Sequence, residues 1–170
     1  GHCHPAIMAA IAEQAGKLDQ IIFAGWTHEP AEAVARGLRD LMPDELTRVF
    51  FSDSGSTSVE VALKMALGYW ANTGRPRHKI LVLEHAYHGD TMGAMSVGAR
   101  GVFNAAYAPL LFDVETLPFP HGDGPHSYGA ATLERLSALC REDPAALIVE
   151  PLICGAGGMK IYDAQLLAEM

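Results

Sequence analysis

The sequence is short of cysteine, of basic residues and of long apolar runs, and each shortage removes a class of protein. Only Cys3, Cys140 and Cys154 occur, an odd number at wide, unpatterned spacings. That argues against a secreted disulfide framework and against a CxxC zinc or redox site, and makes a reducing compartment the default. Lys and Arg number 12 against 20 Asp and Glu, for a formal net charge of -8. Such a field repels a polyanion unless a local basic patch reverses it, and none is visible, so no nucleic-acid partner is expected. No run approaches the ~20 apolar residues of a membrane span, and Gly1-His2-Cys3-His4-Pro5 has neither a basic leader nor a small-residue cleavage site. The expectation is a cytoplasmic protein without membrane association. His2-Cys3-His4 groups two imidazoles and a thiol, but no fourth ligand lies at useful spacing, so no metal site is expected. A nucleophile elbow, an HExxH helix, a Walker lysine and a complete dinucleotide fingerprint are all missing, which leaves hydrolase and nucleotide-binding readings without an anchor.

What is present is core material. With 170 residues, 49% of them hydrophobic and 19% charged, the chain suits one globular domain or a large piece of one. It opens on Gly1 and stops at Met170 within Asp163-Ala164-Gln165-Leu166-Leu167, a helical pattern only begun, so it reads as a fragment. Pro5 followed by Ile7, Ile11, Ala15 and Leu18 predicts an amphipathic helix. A second helix is expected from about Pro30, with Val34, Leu38 and Leu41 on one face, ending at Met42-Pro43. The period then changes. Arg48 to Phe51 reads as a short strand, Ser52 to Ser56 as a glycine loop, and Val59 to Trp70 as a buried helix. Lys79 to Leu83 and Ala145 to Val149 are further strands, Asp113 to Leu117 a weaker one, Ala130 to Cys140 a helix and Pro118 to Tyr128 a surface loop. Continuous apolar strands separated by helices give an α/β fold, a mostly parallel sheet with helices on both faces.

Ligands of such sheets gather at the carboxyl ends of the strands, where three loops stand out. Ser52-Asp53-Ser54-Gly55-Ser56 runs into a helix whose free N–H groups and positive dipole end suit a phosphate. Equally, Ser54 or Ser56 only caps that helix, with Thr57 and Glu60 forming a capping box. His85-Ala86-Tyr87-His88-Gly89-Asp90 offers a platform for a flat ring. The bland alternative packs Tyr87 over the sheet edge and uses Asp90 to cap a helix from Thr91. Glu150 ends an apolar strand before Gly155, Gly157 and Gly158, and stands either beside a ligand or at the strand mouth in water or paired with a structural arginine.

The run Ser52-Asp53-Ser54-Gly55-Ser56-Thr57-Ser58-Val59-Glu60-Val61-Ala62-Leu63-Lys64-Met65-Ala66, followed by Tyr87-His88-Gly89-Asp90, resembles the class III aminotransferases. These are fold type I enzymes that use pyridoxal 5'-phosphate (PLP). Gly1 to Pro5, Thr27-His28-Glu29-Pro30, Val149-Glu150-Pro151 and Gly155-Ala156-Gly157-Gly158-Met159 continue the likeness in the same order over nearly the whole chain. Within the class, the phosphate loop and the GAGGM run are most similar to the biotin-pathway branch that makes 7,8-diaminononanoate. Another class III ω-amine transaminase and a non-catalytic half-domain are the alternatives.

The resemblance implies an N-terminal helix over 1–25 and, over 26–170, the first half of a PLP-binding large domain. It gives the cofactor phosphate to Gly55 and Ser56 with Ser54 beside them, sets Tyr87 against the pyridine with His88 alongside, and makes Glu150 an acid near the cofactor, paired with an arginine from later sequence. Tyr87 and Asp90 shape a substrate pocket. Ile22 and Ala24 line that of a neighbouring subunit, although Ala24 and Trp26 depart from the usual glycine-rich form there. A homodimer with shared active sites follows, acting on an amino donor and a keto acceptor. The family's Schiff-base lysine and pyridine-nitrogen aspartate fall beyond residue 170, so no catalytic residue is assigned. None of Lys17, Lys64, Lys79 and Lys160 occupies the lysine motif.

Overall fold

The computed structural model describes residues 2–120 and 129–170. They group into two units, one ending at Phe51 and the other running from Ser52 to Met170. In the first unit, α1 (Pro5–Ala15) starts on a proline whose missing N–H would have no helical partner anyway. None of its residues is buried, and Ile7 and Ile11 are exposed. Helix α2 (Glu29–Leu41) carries Glu29 and Glu32 in its first turn and Arg39 in its last, in accord with the helix dipole. Its N-cap is His28, whose Nδ1 accepts from the Ala31 amide at 3.4 Å. It stops at Met42 because the residue before Pro43 is driven into extended backbone.

Arg48 to Phe51, expected as a strand, joins no ladder among the described residues. Phe50 and Phe51 are both exposed. β-rich composition gives a segment the tendency to extend, but a strand also needs a neighbour for its N–H and C=O groups.

The second unit runs α3 (Gly55–Asn72), β1 (Ile80–Leu83), α4 (Met92–Ser96), a 3-10 turn (Ala105–Leu110), β2 (Glu115–Leu117), α5 (Ala130–Cys140), β3 (Ala146–Ile148), β4 (Ile153–Cys154), β5 (Lys160–Ile161) and α6 (Ala164–Glu169). β1 is central in the order β2-β1-β3 and both pairings are parallel. Its four residues are all buried, and their alternation divides the core. Leu81 and Leu83 pack with Leu117, Leu136 and Leu139, the last two from α5, and with Tyr162 and Leu166. Ile80 and Val82 face the other way, to Leu63 of α3 and Val97, with Leu67 and Trp70 against them. The expected α/β arrangement with helices on both faces is therefore present.

Trp70 fastens α3 to the edge of this sheet: its indole N–H donates to the Ala145 carbonyl at 2.8 Å. The Arg77 guanidinium lies 3.7 Å over the ring and also pairs with Asp143 at 2.7 Å. Strands β4 and β5 form a short antiparallel hairpin after β3, so the third glycine loop is a hairpin. In the stretch expected as surface loop, Phe119 and Pro120 are buried, Phe119 in the core beside Leu117. Proline content signals irregular backbone, but an aromatic beside it still seeks the core. Residues 121–128 lie outside the described residues. No helix among the described residues is long and apolar enough to cross a membrane.

Leu83→Ala should lower the unfolding free energy by about 2–5 kcal/mol, since a fully buried leucine leaves both lost burial and a cavity. Phe103→Ala, at a side chain 94% exposed, should stay within about 0.5 kcal/mol. Urea midpoints measure both, and equal shifts would contradict this division of the core.

Candidate active site

Because β1 and β3 are parallel neighbours, with Val82 opposite Ile148, the loops leaving their carboxyl ends emerge side by side. Each begins with a residue or two in left-handed backbone, His85 at φ 67° and Leu152 at φ 69°, a conformation that costs a non-glycine residue energy. The carboxylate of Glu150 joins the loops. Oε1 accepts the Tyr87 amide at 2.9 Å and Oε2 accepts the Gly155 amide at 3.0 Å. Below it, the Tyr162 hydroxyl donates to the Glu150 carbonyl at 2.6 Å. Gly157 passes so close to the His85 carbonyl that a Cβ there would collide with it. Glu150 thus has specific partners, and they are backbone amides rather than a side-chain cation.

Tyr87, half exposed, donates its hydroxyl to Asp90 Oδ2 at 2.8 Å. That bond raises the phenol above its ordinary pKa, so the hydroxyl remains a donor. Asp90 therefore does not cap the following helix. His88 is half-buried, and its Nε2 is buried with no hydrogen-bond partner among the described residues, as is the hydroxyl of Thr91. Burial pushes the imidazole below its usual value of 6.5, while the nearby Glu150 charge opposes the shift.

The start of α3 carries the second half of the site. Ser54 and Thr57 make the capping box: Ser54 Oγ accepts the Thr57 amide at 3.1 Å and Thr57 Oγ1 accepts the Ser54 amide at 2.9 Å. Thr57 is the box's N3 residue, and Glu60 takes no part in it. The amides of Gly55 and Ser56 have no hydrogen-bond partner among the described residues. Ser56 Oγ accepts the Asp90 amide at 3.2 Å, bringing the helix start against the tyrosine loop. Ser54, Gly55, Ser56, Tyr87, His88, Asp90 and Glu150 thus converge in one unit. Ile22 and Ala24, both exposed, belong to the other unit.

Beside Tyr87 and Asp90 opens a cleft of about 430 Å³, walled also by Gly98, Arg100, Phe103 and Gly157. Arg100 is committed to carbonyl oxygens, at 2.9 Å from Met95 and 2.8 Å from Phe112, so it serves the wall. A larger cleft of about 710 Å³ runs along α1. The aromatic loop with Tyr87 and Asp90 lines the smaller cleft and not the larger, so the smaller one is the candidate. Sequence reasoning missed Arg100, Tyr162 and the bond that Glu60 makes to α4. Only Glu60 left a signal, an acid among the apolar neighbours Val59, Val61, Ala62 and Leu63.

Unpartnered helix-start amides and an open aromatic face suit a phosphorylated flat ring. Comparison with known proteins meets the same point. The class-III aminotransferase family matches residues 1–170. The chain belongs to this family. It is 52% identical, over its whole length, to an adenosylmethionine-8-amino-7-oxononanoate aminotransferase of Synechococcus elongatus, and spans 41% of that relative. An enzyme of the same description from Anoxybacillus flavithermus is 41% identical over 95% of the chain and 37% of the relative. Among solved structures, the adenosylmethionine-8-amino-7-oxononanoate aminotransferase of Methanocaldococcus jannaschii superposes with a TM-score of 0.89 at 33% identity, over 99% of this chain and 38% of that one. A PLP-bound amine transaminase from an uncultivated Pseudomonas species gives 0.90 at 34% identity, over 99% and 41%. The fold is thus a partial large domain of the PLP-dependent transferases of fold type I, and PLP is the cofactor the family implies. The chain spans about two fifths of the relatives it matches.

His88 has a folded-state pKa below its unfolded value, so its contribution to stability is complete above pH ~6.5, where both states are neutral. As the pH falls below that, the unfolded state takes up the proton first and stability is lost. His88→Gln should flatten this acid limb in denaturation midpoints taken from pH 8 to 5. An unchanged slope would show that other groups govern it.

Proposed function

We propose that this chain supplies the cofactor cradle of a PLP-dependent transaminase, and that the whole enzyme aminates the keto group of 8-amino-7-oxononanoate to give 7,8-diaminononanoate for biotin synthesis. The relatives' names point to adenosylmethionine as the amino donor. A homodimer, in which Ile22 and Ala24 line the neighbouring subunit's pocket, completes the reading. The observation that carries it is the Ser56–Asp90 bond, which joins a helix start with free N–H groups to the loop that bears Tyr87.

The roles follow from the groups each residue offers. Gly55 and Ser56 present N–H donors to the phosphate, backed by the positive end of an 18-residue helix. Ser54 serves by shaping that end, since its hydroxyl is engaged in the capping box. Tyr87 covers a face of the pyridine and Asp90 fixes the phenol's orientation. Glu150 keeps the tyrosine loop and the glycine hairpin in register, closing the floor of the site. His88, neutral and half-buried, leaves Nε2 available as a hydrogen-bond partner. When bound, PLP supplies the electron sink that lets nitrogen pass from donor to acceptor. None of the four lysines suits the covalent role: Lys17 pairs with Glu13, Lys79 with Glu142, Lys160 lies 5.9 Å over the Phe119 ring, and Lys64 is on the exposed side of α3.

Tyr87→Phe should keep most of the PLP affinity of the whole enzyme, while Tyr87→Ala should weaken it roughly tenfold, about 1.4 kcal/mol, by removing the stacking face. Titration of folded variants with PLP measures this, and an unchanged dissociation constant for Tyr87→Ala would assign the ring to packing alone. Borohydride treatment of the 170-residue chain with PLP should fix no stoichiometric label on any lysine. For the substrate, 8-amino-7-oxononanoate with adenosylmethionine should turn over in the whole enzyme. Turnover restricted to simple ω-amines would favour the amine transaminases instead.

A further inference from the structure

The side of α3 that carries Ser56 carries a second polar residue one turn on, and that residue has no part in the cofactor cradle as described above. Glu60 is half-buried, and its carboxylate turns away from its own helix. Oε1 accepts the Gly93 amide at 2.6 Å and the Ala94 amide at 3.3 Å. These are among the first N–H groups of α4, which otherwise have no cap. Thr91 occupies the N-cap position, but its hydroxyl caps nothing and is buried without a partner. A carboxylate in that position satisfies two orphan donors at once, through charge-assisted bonds that are partly buried.

The spacing of these bonds matters. Ser56 and Glu60 are four apart on a helix and so lie one above the other on the same face. Their acceptors take amides three apart in the facing segment, Asp90 and Gly93. Two staples at matching intervals fix translation and rotation together, whereas either one alone leaves a pivot. The contact demands glycine at Gly89, and at Gly93 a side chain could enter only by displacing the Glu60 carboxylate. At Gly89, whose φ is 126°, a Cβ would lie 2.9 Å from Ser56 Cα, and at Gly93 it would lie 2.7 Å from the Glu60 carboxyl carbon.

We propose that Glu60 is a positioning residue for the cofactor platform, holding the segment from Tyr87 to Ala94 in fixed register on α3 so that the free amides of Gly55 and Ser56 stand at a constant distance from the Tyr87 ring. This rests on the PLP reading above, but the staple itself is a property of the protein without cofactor. It acts through Gly93 and Ala94, beside the separate Ser56–Asp90 bond, and touches no reacting atom. Glu60→Gln retains one acceptor oxygen and restores the staple in part, while Glu60→Ala removes it.

Two measurements on the whole enzyme test this. The first is amide hydrogen exchange without PLP. In Glu60→Ala, exchange should speed up about tenfold or more not only at Gly93 and Ala94 but also at Tyr87 and Asp90, with Glu60→Gln intermediate. Faster exchange confined to Gly93 and Ala94 would overturn the proposal and leave Glu60 as a local helix cap. The second is PLP titration. Glu60→Ala should weaken binding about tenfold and Glu60→Gln about threefold or less, at temperatures where each variant is folded. Affinity unchanged in both, with a lowered melting temperature, would mean a purely structural role. If the unsubstituted enzyme binds no PLP, the functional reading fails, and the exchange pattern alone still decides whether the staple exists.

Discussion

The arrangement depends on a four-residue strand with no exposed residue. β1 pairs in parallel on both sides, sends Leu81 and Leu83 to one face and Ile80 and Val82 to the other, and so forces helices onto both faces of the sheet. Parallel pairing has a second consequence. It sets the carboxyl ends of β1 and β3 beside each other, so residues that follow them, Tyr87 and Glu150, meet although 63 positions separate them. The polar chemistry gathers where the apolar sheet runs out, because only there are backbone amides free to be shared with side chains or a ligand.

The same few hydroxyls and carboxylates serve structure and function together. For the serine loop, capping and anion binding initially read as rivals. In the folded chain they need not compete: Ser54 and Thr57 satisfy each other, and the Gly55 and Ser56 amides have no hydrogen-bond partner among the described residues. The cap fixes the direction of the free N–H groups. Glu150 also makes structural bonds, its contacts to Tyr87 and Gly155 joining two loops.

Helices with strong punctuation were legible in the sequence. Ala130–Cys140 lies where its pattern placed it, and Pro5 and Met42-Pro43 mark a helix start and a helix end. The buried strands were legible too, because continuous runs such as Ile80 to Leu83 admit few other environments. Arg48 to Phe51 misled because pairing is a property of two segments and sequence shows only one. Helix α4 was legible only as one alternative, a helix from Thr91 capped by Asp90; its cap could not be read, because the carboxylate that supplies it comes from a distant helix. The serine–glycine loop at the start of α3 and the Tyr87–Asp90 run stood out in the sequence because the residues of each are contiguous. The partners of Glu150 and the bond from Tyr162 could not, because each crosses between segments.

The bonds that build the site also differ in how much chain must exist before they can form. Those from α3 to the tyrosine loop span 33 and 34 positions, whereas the one from Glu150 to Tyr87 spans 63. A chain leaving the ribosome therefore has the pieces for the first joint well before those for the second, and the entropy of closing the longer loop is met only after the shorter has been closed. The joint at the start of α3 is ready to assemble early, and the joint at Glu150 is the late arrival, fixed only once β3 has emerged to lie beside β1.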